Sequence, residues 1–133
     1  MLVAVAQMTS GGVIRENLAI AQQLVRRAAM AGAKAVFLPE AADFIAPPAS
    51  VPTLTRSRDN GAFVSGLCAS ARDLGVWISV GVHEPPSSTL QEPTRCYNTQ
   101  LLINDQGSVC AQYRKLHLYD VNVQNGMSIL ESN

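Results

Sequence analysis

The strongest constraint on the fold is an alternation of short apolar runs with helical stripes over the first eighty residues. The apolar runs occupy residues 2–7, 35–38 and 76–80. Between them, apolar side chains recur at steps of three and four residues, as on one face of a helix. The two stripes are Leu18, Ala21, Val25, Ala28 and then Phe63, Leu67, Ala71, Leu74. The order β-α-β-α-β predicts an α/β fold with a largely parallel sheet.

Glycine, proline and acidic residues predict where these elements end. We expect the first strand to be covered on both faces, since residues 2–7 are apolar almost throughout. Gly32 and Gly75 follow the two stripes, where a left-handed residue typically ends a helix. Asp59 is the predicted N-cap of the second helix. Three prolines in residues 42–58 predict a loop without a helix.

After Gly81 the pattern changes to that of a β-hairpin. Two runs rich in strand-forming residues, 96–104 and 108–114, are joined by the turn sequence Asp105-Gln-Gly107. Residues 116–133 are polar, and we expect them to be irregular.

Composition excludes several classes of protein. The 133 residues are 47% hydrophobic, and ten basic residues balance ten acidic ones. The longest basic run is Arg26–Arg27, so the electrostatic signature of a nucleic-acid-binding protein is absent. A membrane span needs about 20 apolar residues, which the sequence does not contain. The first residues lack the basic leader of a signal peptide. We therefore predict a cytoplasmic protein, with a mitochondrial form as the alternative.

Three cysteines, an odd number without CxxC spacing, favour neither a disulfide framework nor a metal site. Glu40 follows the second apolar run, where ligands bind in open α/β sheets, and Lys115 follows the hairpin. Considered singly, Glu40 and Lys115 are each more typical of an exposed charged residue. His83 is more typical of a hydrogen-bonded structural residue. Serine-nucleophile, Walker and dinucleotide motifs are absent, although β-α-β-α-β by itself leaves nucleotide binding open.

Two motifs carry a resemblance to a known family. Residues 37–44 (FLPEAADF) contain Glu40, and residues 113–120 (YRKLHLYD) contain Lys115. The opening Val5-Ala-Gln7, the segment His83-Glu84 and the pair Tyr97-Asn98 occur in the matching order. Together they resemble the carbon–nitrogen hydrolase (nitrilase) superfamily, in particular its Nit branch and the deaminated glutathione amidases within it.

The resemblance implies a fold and a chemistry. Residues 1–133 would be a partial carbon–nitrogen hydrolase domain, the N-terminal half of a four-layer α-β-β-α sandwich. By resemblance Glu40 is the general base, Lys115 stabilises the oxyanion, and Glu131 is a possible second glutamate. The nucleophilic cysteine of the family has no counterpart, because no G-x-x-I-C-Y-D-like motif is present and the flanks of Cys110 differ from it.

The family implies a small amide substrate, either deaminated glutathione or the ω-amide of a keto acid. It implies no cofactor and no metal, and a homodimer for the full-length protein. Two hypotheses follow. Either the chain is part of a Nit-type amidase and is inactive alone, or it is a non-catalytic module for binding or dimerisation. In both cases half a sandwich should leave an apolar sheet face uncovered.

Overall fold

A mixed five-stranded sheet forms the centre of the molecule. The computed structural model describes residues 1–85 and 96–123, and also the backbone of residues 128–130. The strands are β1 (Val3–Val5), β2 (Ala35–Phe37), β3 (Trp77–Glu84), β4 (Tyr97–Ile103) and β5 (Val109–Arg114). They lie in sequence order across the sheet. β1, β2 and β3 are parallel, whereas β3, β4 and β5 are antiparallel. The predicted β-α-β-α-β order followed by a hairpin is confirmed.

Two long helices cover one face of this sheet. They are α1 (Ile14–Met30) and α3 (Arg58–Leu74), and both match the predicted stripes. The helices approach closely at Gly66, where an added Cβ would lie 2.9 Å from Leu18 Cδ2. The predicted apolar stripes supply much of the core, which includes Val25, Val36, Phe44, Phe63, Leu67, Ile78, Val80 and Ile103.

The helix ends show which boundary predictions were right. Gly75 caps α3 with φ 62°, and Gly32, with φ 88°, follows α1 and donates its N–H to the Ala29 carbonyl. The N-cap prediction for Asp59 was wrong, because Ser57 takes that position and its Oγ accepts the Asn60 N–H. Asp59 lies instead in the first turn, where a carboxylate is favourable at a helix N-terminus.

Two segments predicted to be irregular contain short regular elements. The proline-rich loop holds a 3-10 helix (Pro48–Ser50) and the five-residue α2 (Val51–Thr55). Proline starts a helix well because the first N–H groups are unpaired in any case. In the polar tail, β6 (Asp120–Asn122) pairs antiparallel with β7 (Ser128–Leu130). Three-residue strands are too short for an alternating pattern to be recognised in the sequence.

Among residues 1–85 and 96–123, no helix covers the sheet face opposite α1 and α3. β1 was predicted to be covered on both faces, but only its Ala4 side points to the core. Val5 is 86% exposed and Val3 47%. Phe37 and Trp77 lie on the same face by strand register and are also exposed. Because α1 and α3 cover only one side, we call the other side the open face. None of the described helices is long and apolar enough to cross a membrane.

Candidate active site

Glu40 stands on a turn that protrudes at the carboxyl end of β2. The Gly81 N–H donates to the Pro39 carbonyl (3.1 Å), and the Ala42 N–H donates to the Gly81 carbonyl (2.9 Å). Glu40 and Ala41 lie between these two bonds, and Ala41 has a left-handed φ of 51°. The turn rests directly on β3, where a Cβ added to Gly81 would lie 2.6 Å from the Glu40 Cα. Glycine at position 81 therefore allows Glu40 to sit on the open face.

Lys115 follows β5 and reaches the same place. Its Nζ lies 3.1 Å from Glu40 Oε1, although 75 positions separate the two residues in the sequence. The Glu40 side chain is 58% exposed and that of Lys115 30%. An ion pair this exposed contributes little to stability, about 0–1 kcal/mol. The structure thus brings together the two residues that the motifs singled out.

Three further side chains complete a small cleft around this pair. Asn98, Gln100 and Tyr113 line it with Glu40 and Lys115, and its volume is about 190 Å³. Asn98 Nδ2 donates to Glu40 Oε1 over 2.6 Å. Gln100 Nε2 donates to Ser79 Oγ over 2.8 Å, which fixes the amide against the open face. These three residues were not identified as site residues from the sequence, because only strand pairing places them beside Glu40.

A buried aspartate fixes the segment that follows Glu40. Asp43 is fully buried, and its carboxylate accepts the Phe44 N–H (2.9 Å) and the His83 N–H (2.7 Å). Its Oδ1 also lies 2.9 Å from His83 Nδ1. The His83 ring stacks on Phe44 with centroids 4.2 Å apart. His83 is therefore a hydrogen-bonded structural residue, as predicted, and ties the turn to β3.

On the helix side of the sheet, a second ion pair joins β3 to β5. Arg114 Nη2 and Nε bind Glu84 Oε1 and Oε2 at 2.6 and 3.1 Å. Thr99 of the intervening strand donates to Glu84 Oε2 over 2.9 Å, and Arg114 stacks over Tyr97. The hydrogen bond from Arg114 is the main cause that lowers the pKa of Glu84, and the same bond raises the pKa of Arg114. This network clamps the three strands at the end that carries Lys115.

None of the three cysteines is among the residues that line the cleft. Cys68 is in α3, and burial raises the pKa of its thiol. Cys110 is on β5, where its Sγ contacts the Leu102 carbonyl at 3.4 Å. Cys96 immediately precedes β4 and is partly buried. No group of three potential metal ligands occurs in residues 1–85 and 96–123. Glu131, the possible second glutamate, lies outside the described residues.

Comparison with known proteins identifies the family. A family model described as carbon–nitrogen hydrolase matches residues 2–132. The probable hydrolase nit2 of Schizosaccharomyces pombe is 38% identical over 99% of this chain and 47% of its own length. The deaminated glutathione amidase of Mus musculus is 39% identical over 99% of this chain and 41% of its own length. The chain therefore spans less than half the length of these curated relatives.

Solved structures agree with this result. The Caenorhabditis elegans NitFhit protein is 30% identical, with a TM-score of 0.84 over 98% of this chain and 31% of that one. An amidase from Nesterenkonia sp. is 26% identical, with a TM-score of 0.75 over 88% of this chain and 43% of that one. The expected nitrilase-like α/β fold is confirmed. With a family model that matches almost every residue and relatives of the Nit type, this chain belongs to the carbon–nitrogen hydrolase family.

Proposed function

We propose that this chain carries the base and the oxyanion-stabilising cation of a Nit-type amidase that hydrolyses small linear amides. The observation that carries this proposal is the contact of Glu40 with Lys115 at 3.1 Å in a cleft on the open face. An exposed pair of this kind adds little to stability. Its assembly in a carbon–nitrogen hydrolase therefore favours a chemical role.

The proposed chemistry divides between the two side chains. Glu40 takes the proton of a cysteine thiol, and the thiolate attacks the carbonyl carbon of the amide. The ammonium group of Lys115 donates a hydrogen bond to the oxyanion that forms, an electrostatic term that is usually the largest in such reactions. The C–N bond then breaks and the amine leaves with a proton. Water activated by Glu40 hydrolyses the thioester, which releases the carboxylic acid and restores the thiol.

The thiol itself is proposed to come from outside these 133 residues. Cys110 precedes Lys115 by five residues, which is roughly 17 Å along a strand. Its Sγ contacts the Leu102 carbonyl, and Cys110 does not line the cleft. Cys68 belongs to α3, on the helix side of the sheet. A thiol needs a neighbouring base and cation to be thiolate at neutral pH. None of the three cysteines of this chain lines the cleft of Glu40 and Lys115, so none meets that requirement here.

Relatives support this division of roles. Solved forms of the Nesterenkonia amidase include a glutamate-to-glutamine mutant with acrylamide added at the active site cysteine. Among the curated relatives, the name deaminated glutathione amidase favours deaminated glutathione as the substrate, with the ω-amide of a keto acid as the alternative. A homodimer, a second glutamate at Glu131 and a cytoplasmic location remain predictions from the resemblance.

A second candidate is a non-catalytic binding or dimerisation module. The open face favours it, because Val3, Val5, Phe37 and Trp77 form an exposed apolar surface. Soluble monomers rarely tolerate large surfaces of this kind. The coding sequence downstream of Asn133 discriminates between the two candidates: an in-frame continuation with a cysteine motif supports the amidase, and a stop codon supports the module.

The activity test uses the chain alone and a chimera. The chain alone should not hydrolyse deaminated glutathione or α-ketoglutaramate, and turnover that Cys96→Ser or Cys110→Ser abolishes would refute the thiol assignment. In the chimera, residues 1–133 replace the matching segment of the mouse deaminated glutathione amidase. A folded chimera should hydrolyse deaminated glutathione. Folding without activity would favour the module.

Variants of the chimera test the two residues. Glu40→Gln and Lys115→Met should each lower kcat by about three orders of magnitude or more, as losses of catalytic groups commonly do. Glu16→Gln and Lys34→Met are matched controls, because they remove the same charges from exposed positions that do not line the cleft. Near-normal kcat in Lys115→Met would remove that residue from the mechanism.

A further inference from the structure

One residue of the cleft contacts both members of the proposed pair. The side chain of Asn98 donates to Glu40 Oε1 over 2.6 Å. Its backbone carbonyl accepts the Lys115 N–H over 2.8 Å. Asn98 thus lies between a residue that follows β2 and a residue that follows β5. Asn98, a single position in β4, therefore links Glu40 to Lys115.

The surroundings of Asn98 hold it rigidly. It pairs with His83 across β3 and β4. His83 is in turn held by the buried Asp43, three positions after Glu40. On the other side of the sheet, the neighbouring Thr99 is fully buried and bonds Glu84. Contacts on both faces of the sheet therefore hold the strand that carries the Asn98 amide, whereas the Glu40 turn protrudes from the sheet.

The two oxygens of the Glu40 carboxylate are consequently not equivalent. Oε1 receives hydrogen bonds from Asn98 and from Lys115, at 2.6 and 3.1 Å. Oε2 accepts no hydrogen bond from the part of the chain that the structure describes. A carboxylate oxygen with two donors is a poorer base than one with none. Oε2 is thus the oxygen available to take a proton.

We propose that Asn98 is a positioning residue that holds Oε1 and presents Oε2 of Glu40 as the proton acceptor. This inference rests on the proposed amidase function and deepens it. Asparagine suits the role because its amide donates without adding charge. Aspartate at the same position would place a second carboxylate against Glu40, and alanine would leave the turn without its side-chain contact to β4.

The contact itself is tested in the chain as it stands. The NMR signal of the Asn98 side-chain amide reports hydrogen exchange, which a bond to a carboxylate slows. Glu40→Gln should accelerate this exchange about tenfold, in line with the strength of a hydrogen bond to a charged group. Gln112, exposed on β5, serves as the reference amide and should be unaffected. Unchanged exchange at Asn98 would overturn the positioning role and leave the amidase proposal intact.

The consequence is tested in the active chimera. Asn98→Ala should lower kcat about 100-fold with KM within about threefold, as expected when a catalytic group is misplaced but binding persists. Gln112→Ala should leave both constants unchanged. Asn98→Asp should move the activity optimum toward acidic pH, because only a protonated aspartate can donate to Oε1. An aspartate that acted only through its negative charge would disfavour the ionised form of Glu40 and move the optimum toward alkaline pH instead.

The outcomes separate the two proposals. Wild-type kcat in Asn98→Ala, or an optimum in Asn98→Asp that is unmoved or moves toward alkaline pH, refutes the positioning role while amidase activity stands. A folded chimera without activity refutes the proposed function and, with it, the role of Asn98. If Asn98→Ala fails to fold, Asn98→Asp and the exchange measurement decide.

Discussion

Gly81→Ala is the substitution that tests most directly how Glu40 is placed. The added Cβ would lie 2.6 Å from the Glu40 Cα and 3.3 Å from the Ala41 nitrogen. Ordinary contacts begin near 3.4 Å, so the turn or the strand must move by about 0.8 Å. These two atoms belong to the backbone, whereas the third near atom, Gln100 Oε1 at 3.3 Å, belongs to a side chain. Hydrogen bonds from the Gly81 N–H and to the Gly81 carbonyl hold the turn to β3. Movement of a side chain therefore cannot relieve the closest contact, which is with the Glu40 Cα.

This close contact determines how much Gly81→Ala should destabilise the protein. Overpacking of a close-packed site typically destabilises by about 1–3 kcal/mol, and we expect Gly81→Ala to lower the free energy of unfolding of this chain by that amount. In an active chimera, a displacement near 1 Å should lower kcat about 100-fold.

Urea denaturation followed by circular dichroism measures the first effect. The matched control is Gly61→Ala in α3, where nothing lies within 4 Å of the added Cβ. In a helix this change should stabilise the protein by about 0.5–1 kcal/mol. If Gly81→Ala has the same free energy of unfolding as the unsubstituted chain, the close approach of Glu40 to β3 is refuted.

Three other changes test separate parts of the structure. Asp43→Ala should destabilise by about 3 kcal/mol or more, because it leaves buried N–H donors unpaired; a loss below about 1 kcal/mol in the same urea assay would contradict this. Glu84→Gln should reduce stability at neutral pH. Since Arg114 lowers the pKa of Glu84 in the folded state, this contribution is present above the ordinary value of 4.5 and is lost as the pH falls through the folded value. Thermal melts from pH 7 to pH 3 should therefore show the variant and the parent converging, and a constant difference would refute the assignment. Val5→Lys should reduce self-association in sedimentation velocity, because Val5 is the most exposed apolar side chain of the β1–β3 part of the open face; a parent chain that sediments as a monomer would show that the open face does not associate.

Local patterns in the sequence predicted most of the fold. The helical stripes and the apolar runs are patterns within short segments of the sequence. They therefore indicate α1, α3 and strands β1 to β3 without any information on contacts between distant residues. Gly75 adopts the left-handed φ that the sequence predicted at a helix end, and Gly107, in the predicted hairpin turn, has a φ of 77°. Short elements such as α2 and β6 were missed because they contain too few positions to show a period.

The candidate pair was predicted only through motifs, since Glu40 and Lys115 are each ordinary exposed charges when considered alone. The family assignment now replaces the nucleotide-binding interpretation that the β-α-β-α-β order had left open.

Sequence alone thus determined which segments form strands and helices, and it pointed to Glu40 and Lys115. Only the tertiary structure decided what surrounds them. Asn98 becomes a partner of Glu40 because β3, β4 and β5 pair in one register across widely separated residues. Gly81 matters because two backbone segments approach at a distance that no local pattern encodes. Contacts between distant segments depend on register and on the sheet face, and neither is a property of a single stretch of sequence.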